Sequence, residues 1–171
     1  MKLPICRIDA QTNTLCRKCK VLYREGKISD LDIDISKLLV DLAKTHKELN
    51  DIHFYSSIEL EDLVIIVVRS QDVPTLSSDY VLPELESIAA KKIRFLKKTN
   101  DPKKLVESLI DPTPVQNVTV LYIPPFSDKE YKVEISKKYK NKLPISEEVL
   151  VQTVSSILGT GAVSYTHLTL P

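Results

Sequence analysis

Cys6, Cys16 and Cys19 are the only cysteines of this 171-residue chain, and all fall in "CRIDAQTNTLCRKC". Cys16-Arg17-Lys18-Cys19 has the two-residue spacing that forms one half of a tetrahedral zinc site. Cys6-Arg7-Ile8-Asp9 has the same spacing and ends in a carboxylate, which is also an accepted zinc ligand. The connection "AQTNTL" is long enough to bring the halves together. Arg7, Arg17, Lys18 and Lys20 would offset the charge of three thiolates and a carboxylate. Three arrangements are open: Cys6, Asp9, Cys16 and Cys19 around zinc; a fourth ligand from His46, His53 or another chain; or no metal. A redox C-x-x-C is disfavoured, because no βαβ pattern surrounds it. The expected role is structural, since a short segment with little core gains folding energy from metal.

The basic residues are the second source of chemistry. Net charge is only +1, but its distribution is uneven. Residues 1–29 carry seven basic and two acidic groups, whereas residues 30–62 carry three basic and nine acidic. Lys91, Lys92, Arg94, Lys97 and Lys98, followed by Lys103 and Lys104, form one cluster. Lys137, Lys138, Lys140 and Lys142, with Tyr139 and Tyr131 interleaved, form another. Lysines attract phosphates and tyrosines stack on bases, so both stretches read as nucleic-acid contacts. The alternative is a pair of solvated edges, where lysines discourage strand-to-strand aggregation.

Catalysis finds little support. His46 sits among Lys44, Lys47 and Glu48, and His53 opens a strand. No Ser–His–Asp arrangement, Walker loop or His-x-x-x-His is visible, so the chain is expected not to be an enzyme. Hydrophobic content of 43% and charged content of 27% are those of a globular protein. No segment approaches the roughly 20 apolar residues of a membrane helix, and "MKLPICRIDA" is no signal peptide. With three cysteines a disulfide framework is not expected, and a cytoplasmic protein is.

The positioning elements follow from periodicity. Ser29 and Asp32 form a capping-box pattern for an amphipathic helix over residues 30–49, with a strand as the alternative at "DIDI". "IHFYSSIE" (52–59) and "LVIIVVRS" (63–70) make a hairpin whose second strand is apolar almost throughout, as a central buried strand would be. A helix over 77–92 has its regular part from Leu82, because Pro83 cannot sit deep inside it. "KIRFLKK" (92–98) is a basic strand. The order then repeats: a helix from Asp101–Pro102 to Ile110, strands at 117–123 and 130–136 around the turn "PPFSD", and a helix from Glu147 to Leu158 capped by Ser146 and closed by Gly159. The expected fold class is α+β: two tandem α-β-β-α-β units, residues 29–99 and 100–162, behind a cysteine module, residues 1–28.

The order helix–strand–strand–helix–strand with a basic last strand resembles the prokaryotic type of KH domain. Two such units behind a cysteine module resemble archaeal NusA-like KH proteins. The residues that carry the likeness are "PIC-x-x-D", "T-x-x-LC-x-x-C", "DLDIDISKLL", "EDLVIIVV", "AAKKIRFL" and "LP-x-S-x-E", spread over residues 3–160. The resemblance implies an RNA-binding transcription factor whose GXXG loop clamps phosphates. It places that loop at Leu76–Tyr80, where "LSSDY" has no glycine, and in "KKYKNK" of the second unit, again without one. Gly26, Gly159 and Gly161 are the chain's only glycines. Binding is therefore expected to rest on Lys and Arg contacts, with weak sequence specificity. The alternative is an adaptor on a KH scaffold that has lost RNA binding. It would dock on the transcription or translation machinery through the acidic helix and Pro124–Phe126. No small-molecule substrate is expected.

"VSYTHLTLP" (163–171) resembles a translated library-preparation adapter. It is set aside from fold reasoning together with His167, and the natural chain is expected to depart from this sequence near Ala162.

Overall fold

The computed structural model describes residues 1–123 and 128–158, with backbone alone at 123, 128–130, 137, 140 and 141. The chain divides into two compact units, residues 1–98 and 99–171. Both mix helices with a small sheet, so the fold class is α+β, as expected. The Pro124–Phe126 turn, Gly159, Gly161 and the 163–171 tail lie outside the described residues.

The first unit opens with two short helices, α1 (Arg7–Thr12) and α2 (Arg17–Arg24), followed by α3 (Asp30–Leu42). The capping box at the start of α3 forms as its sequence dictates. Ser29 Oγ accepts from Asp32 N at 3.1 Å, and Asp32 Oδ2 accepts from Ser29 N at 2.9 Å. The helix expected to reach residue 49 stops at Leu42. The amides of Lys44 and Thr45 bond to Asp41 O and Leu42 O, tightening the chain, and a separate 3-10 turn runs Lys47–Asp51. The break folds Leu49 and Ile52 back under the sheet, where both are fully buried with Ile35 and Leu39 of α3.

Strands β1 (Phe54–Glu59) and β2 (Leu63–Val68) form the expected hairpin, with a bulge between Phe54 and Ser56. β3 (Lys92–Lys97) pairs parallel to β2 in the register Leu63↔Lys92 to Val68↔Lys97, so β2 is the central strand. Parallel neighbours need a crossover. It is supplied by a 3-10 turn (Ser70–Asp72), α4 (Val73–Leu76) and α5 (Leu82–Ala89). The helix expected over 77–92 is α5, which begins at Leu82 with Pro83 in its first turn, as expected. α4 and the 3-10 turn precede that span and have no counterpart among the expected elements. One sheet face, with Phe54, Val64, Ile66 and Val68, packs on α3, α4 and α5.

The second unit runs α6 (Pro102–Ile110), β4 (Val115–Ile123), β5 (Asp128–Ile135), a 3-10 turn (Lys137–Lys142) and α7 (Glu147–Leu158). Asp101 Oδ1 caps α6 through Lys103 N at 3.0 Å, and Ser146 Oγ accepts from Val149 N at 3.3 Å. β4 and β5 are antiparallel, and α6 packs on α7 and β4. Tyr131, Val133 and Ile135 alternate inward, so Tyr131 is 7% exposed and is not placed to stack on a base.

Candidate metal centre and basic surfaces

The two spaced pairs occupy equivalent positions on two consecutive helices. Cys6 is the N-cap of α1 and Asp9 lies in its first turn, while Cys16 is the N-cap of α2 and Cys19 lies in its first turn. Residues three apart across a helix start face the same way, so each spacing presents two donors together. Side-chain donors of Cys6, Asp9, Cys16 and Cys19 all lie within 4.8 Å of one another. Cys6 Sγ is 3.7 Å from Cys19 Sγ and 4.0 Å from Cys16 Sγ. Backbone amides support the cluster: Cys6 N points at Cys19 Sγ (3.4 Å), Cys19 N at Cys16 Sγ (3.5 Å), and Cys16 N donates to Asp9 Oδ2 (3.0 Å). These four residues form a group that can hold a metal ion.

Asp9 is 4% and Cys19 2% exposed, whereas Cys6 faces solvent. Burial pushes the Asp9 carboxyl up, but hydrogen bonds from Cys19 and Cys16 outweigh it and leave the group below its usual value. Burial and the neighbouring Asp9 push the Cys19 thiol up to about 12. Without a cation, the pair therefore holds one proton on sulfur beside a carboxylate. A bound cation would displace that proton. Ile5, Ala10, Cys19 and Ile28 pack with Val40 of α3, so the cysteine segment has a small core of its own on the first unit.

Neither His46 nor His53 belongs to the cluster. His46 stacks on Tyr80, with ring centroids 4.1 Å apart, and Tyr80 Oη donates to Glu48 at 2.7 Å. His53 lies edge-on to Tyr55 at 6.3 Å, and its backbone amide donates to the buried Asp72.

The basic residues are distributed as follows. Lys91 is tied to Glu59 (3.0 Å) and Leu60 O (2.6 Å). Lys92 and Lys97 are exposed on β3 and Arg94 is half-buried. Lys98 Nζ stands 4.0 Å over the Tyr55 ring, and Lys2 Nζ approaches the same ring at 5.6 Å. Lys138 and Lys142 are exposed, with Lys138 over Tyr139 at 5.4 Å, while the side chains of Lys137 and Lys140 lie outside the described residues. The meeting of Lys2, Tyr55 and Lys98 has no sequence signal. It depends on Lys2 pairing in parallel with His53, which brings residues 2 and 98 to one ring.

The segment Ser77–Val81 that joins α4 to α5 is also anchored. Besides Tyr80, Ser78 Oγ donates to Thr75 O at 2.7 Å. No helix among the described residues is long and apolar enough to cross a membrane.

No family model and no curated protein matches the chain. Among solved structures it is similar to the crystal structure of APE1850, an archaeal protein, at 14% identity and a TM-score of 0.54. The match spans 74% of this chain and 96% of that one. At that identity the likeness shows a shared α+β fold and nothing of activity.

Proposed function

We propose that the protein is a non-catalytic, cytoplasmic RNA-binding factor of the NusA-like KH type, acting with the transcription machinery and carrying a structural zinc ion. The observation that carries the reading is a set of cations without acidic partners in both units. Among the described residues, Lys92 and Lys97 on β3, and Lys138 and Lys142 beside α7, are exposed and form no ion pair. Lys98 adds a cation over the ring of Tyr55. Such groups bind phosphates by releasing counterions, without reading sequence. The antiparallel-then-parallel order β1-β2-β3, closed by two short helices, supports the KH assignment.

Zinc is supported by the donor set and its spacing. Tetrahedral ligands at about 2.3 Å from a metal are about 3.8 Å apart, which the sulfur separations of 3.7 and 4.0 Å fit. Cys6, Asp9, Cys16 and Cys19 would hold the ion, which would tie α1 to α2.

The test is filter binding of a 20-nucleotide single-stranded RNA at two salt concentrations, using full-length wild type, K92E/K97E and K138E/K142E. Tighter binding at low salt and losses of at least about tenfold in each variant are expected. No affinity at low salt would end the RNA reading. One feature favours the adaptor alternative: the α4–α5 connection lacks glycine and is pinned by Tyr80 to Glu48. If RNA fails to bind, the acidic α3, with Asp30, Asp34 and Asp41, becomes the surface to probe.

A further inference from the structure

α2 carries four cations, Arg17, Lys18, Lys20 and Arg24, and no acidic residue within Arg17–Arg24; Glu25 follows as its C-cap. Helical spacing of 100° per residue puts Arg17, Lys20 and Arg24 on one stripe with Val21 between them, and Lys18 beside it. Cys19 and Leu22 point the other way, into the small core with Ile5, Ala10 and Val40. All four helix cations are exposed, and none pairs with a carboxylate among the described residues. The nearby acids are already engaged, because Glu25 pairs with Lys27 at 2.8 Å and Asp30 accepts from Tyr23 at 2.8 Å. Tyr23, 40% exposed, and that same bond anchor α2 to the start of α3.

We propose that the outer face of α2 is a separate binding surface for the phosphate backbone of single-stranded RNA, so that the metal-holding module is itself a contact and not only a structural element. The stripe from Arg17 to Arg24 rises about 10 Å, a span of several nucleotides at roughly 3.4 Å each. A membrane surface fits poorly, because Val21 and Tyr23 are the large apolar side chains that α2 leaves exposed, too few to form the apolar face of an interfacial helix. An acidic protein is the competing occupant, since interface centres are depleted in lysine but enriched in arginine. Four cations with no acidic residue among them on α2 favour a polyanionic backbone. The inference rests on the RNA-binding reading but uses none of the residues that carry it.

The experiment uses the full chain loaded with zinc and a 20-nucleotide oligouridylate. R17Q/K20Q/R24Q keeps good helix formers and removes three charges. Its affinity is expected to drop at least about tenfold, and its plot of log K against log salt to become shallower by about 2, at roughly 0.7 per lost contact. A second measurement needs no mutation: acetylation of Lys18 and Lys20 by an N-hydroxysuccinimide ester, read by mass spectrometry. RNA is expected to protect both lysines. If wild type binds RNA while the variant keeps its affinity and slope, or Lys18 and Lys20 stay fully reactive, the α2 surface is refuted and the proposed function stands. If wild type binds no RNA, both fall. Protection by a polyglutamate peptide but not by RNA would also overturn the inference and assign the face to an acidic protein.

Discussion

Replacing Asp9 by Asn separates two roles that its carboxylate combines. Asp9 Oδ2 accepts the Cys16 amide at 3.0 Å, and the same carboxylate lies within 4.8 Å of the three sulfurs. Asn keeps an acceptor oxygen for Cys16 N but loses the charge that a cation needs, whereas Ala loses both. Structural zinc contributes an apparent 10–16 kcal/mol in small sites, so one ligand of four is worth about 3 kcal/mol, or more than about 100-fold in Kd. D9N and D9A are therefore expected to show similarly weakened zinc binding in competition with a chromophoric chelator at pH 7. In the metal-free proteins, D9A should be less stable than D9N by about 1–3 kcal/mol in urea, because it strands the Cys16 amide. D9N with unchanged zinc affinity would refute Asp9 as the fourth ligand. Equal urea midpoints for metal-free D9A and D9N would refute the hydrogen-bond role.

Three further outcomes are expected. D32A should lose about 2–4 kcal/mol in chemical unfolding, because Asp32 closes the α3 capping box and also accepts from Ser57 N and Ser57 Oγ at 2.5 and 2.7 Å. A loss under about 1 kcal/mol would mean that the link to β1 contributes nothing. Ala90 follows α5 at φ 51°, a left-handed conformation that costs a non-glycine residue about 1 kcal/mol. A90G should raise the urea midpoint, and a lowered one would refute that strain. The hydrogen bond from Tyr80 foremost holds the Glu48 carboxyl below its usual value. Its share of stability is present above the unfolded value of about 4.3 and lost as pH falls through the folded value. Y80F should move the Glu48 midpoint upward in an NMR titration, and an unmoved midpoint would contradict the assigned cause.

Sequence and structure agree where the relevant chemistry is local. The Ser29–Asp32 box, the Asp101–Pro102 start and α7 from Glu147 to Leu158 are set by contacts three or four residues apart. β2 was legible as a central strand because near-continuous Val and Ile can be buried only on two faces at once. The end of α3 was not legible. Leu42 to Leu49 keeps a helical apolar pattern, and the break comes from the burial of Leu49 and Ile52 under the sheet. Only the first part of the crossover, Ser70–Leu76, was equally hidden, whereas α5 and β3 fall where their patterns put them.

The candidate metal centre divides in the same way. Spacing alone paired Cys6 with Asp9 and Cys16 with Cys19, because two donors separated by two residues form half of a tetrahedral site. That each pair sits at a helix start was decided by the fold. Tertiary packing excluded the histidines, drawing His46 to Tyr80 and His53 to Tyr55. Packing also decided which cations remain available. Lys91 found Glu59 across the sheet, Tyr131 turned inward, and the outer face of α2 was left without a carboxylate. A sequence carries the number and spacing of charges. Which charge meets which depends on chain segments tens of residues apart, and only the fold brings those together.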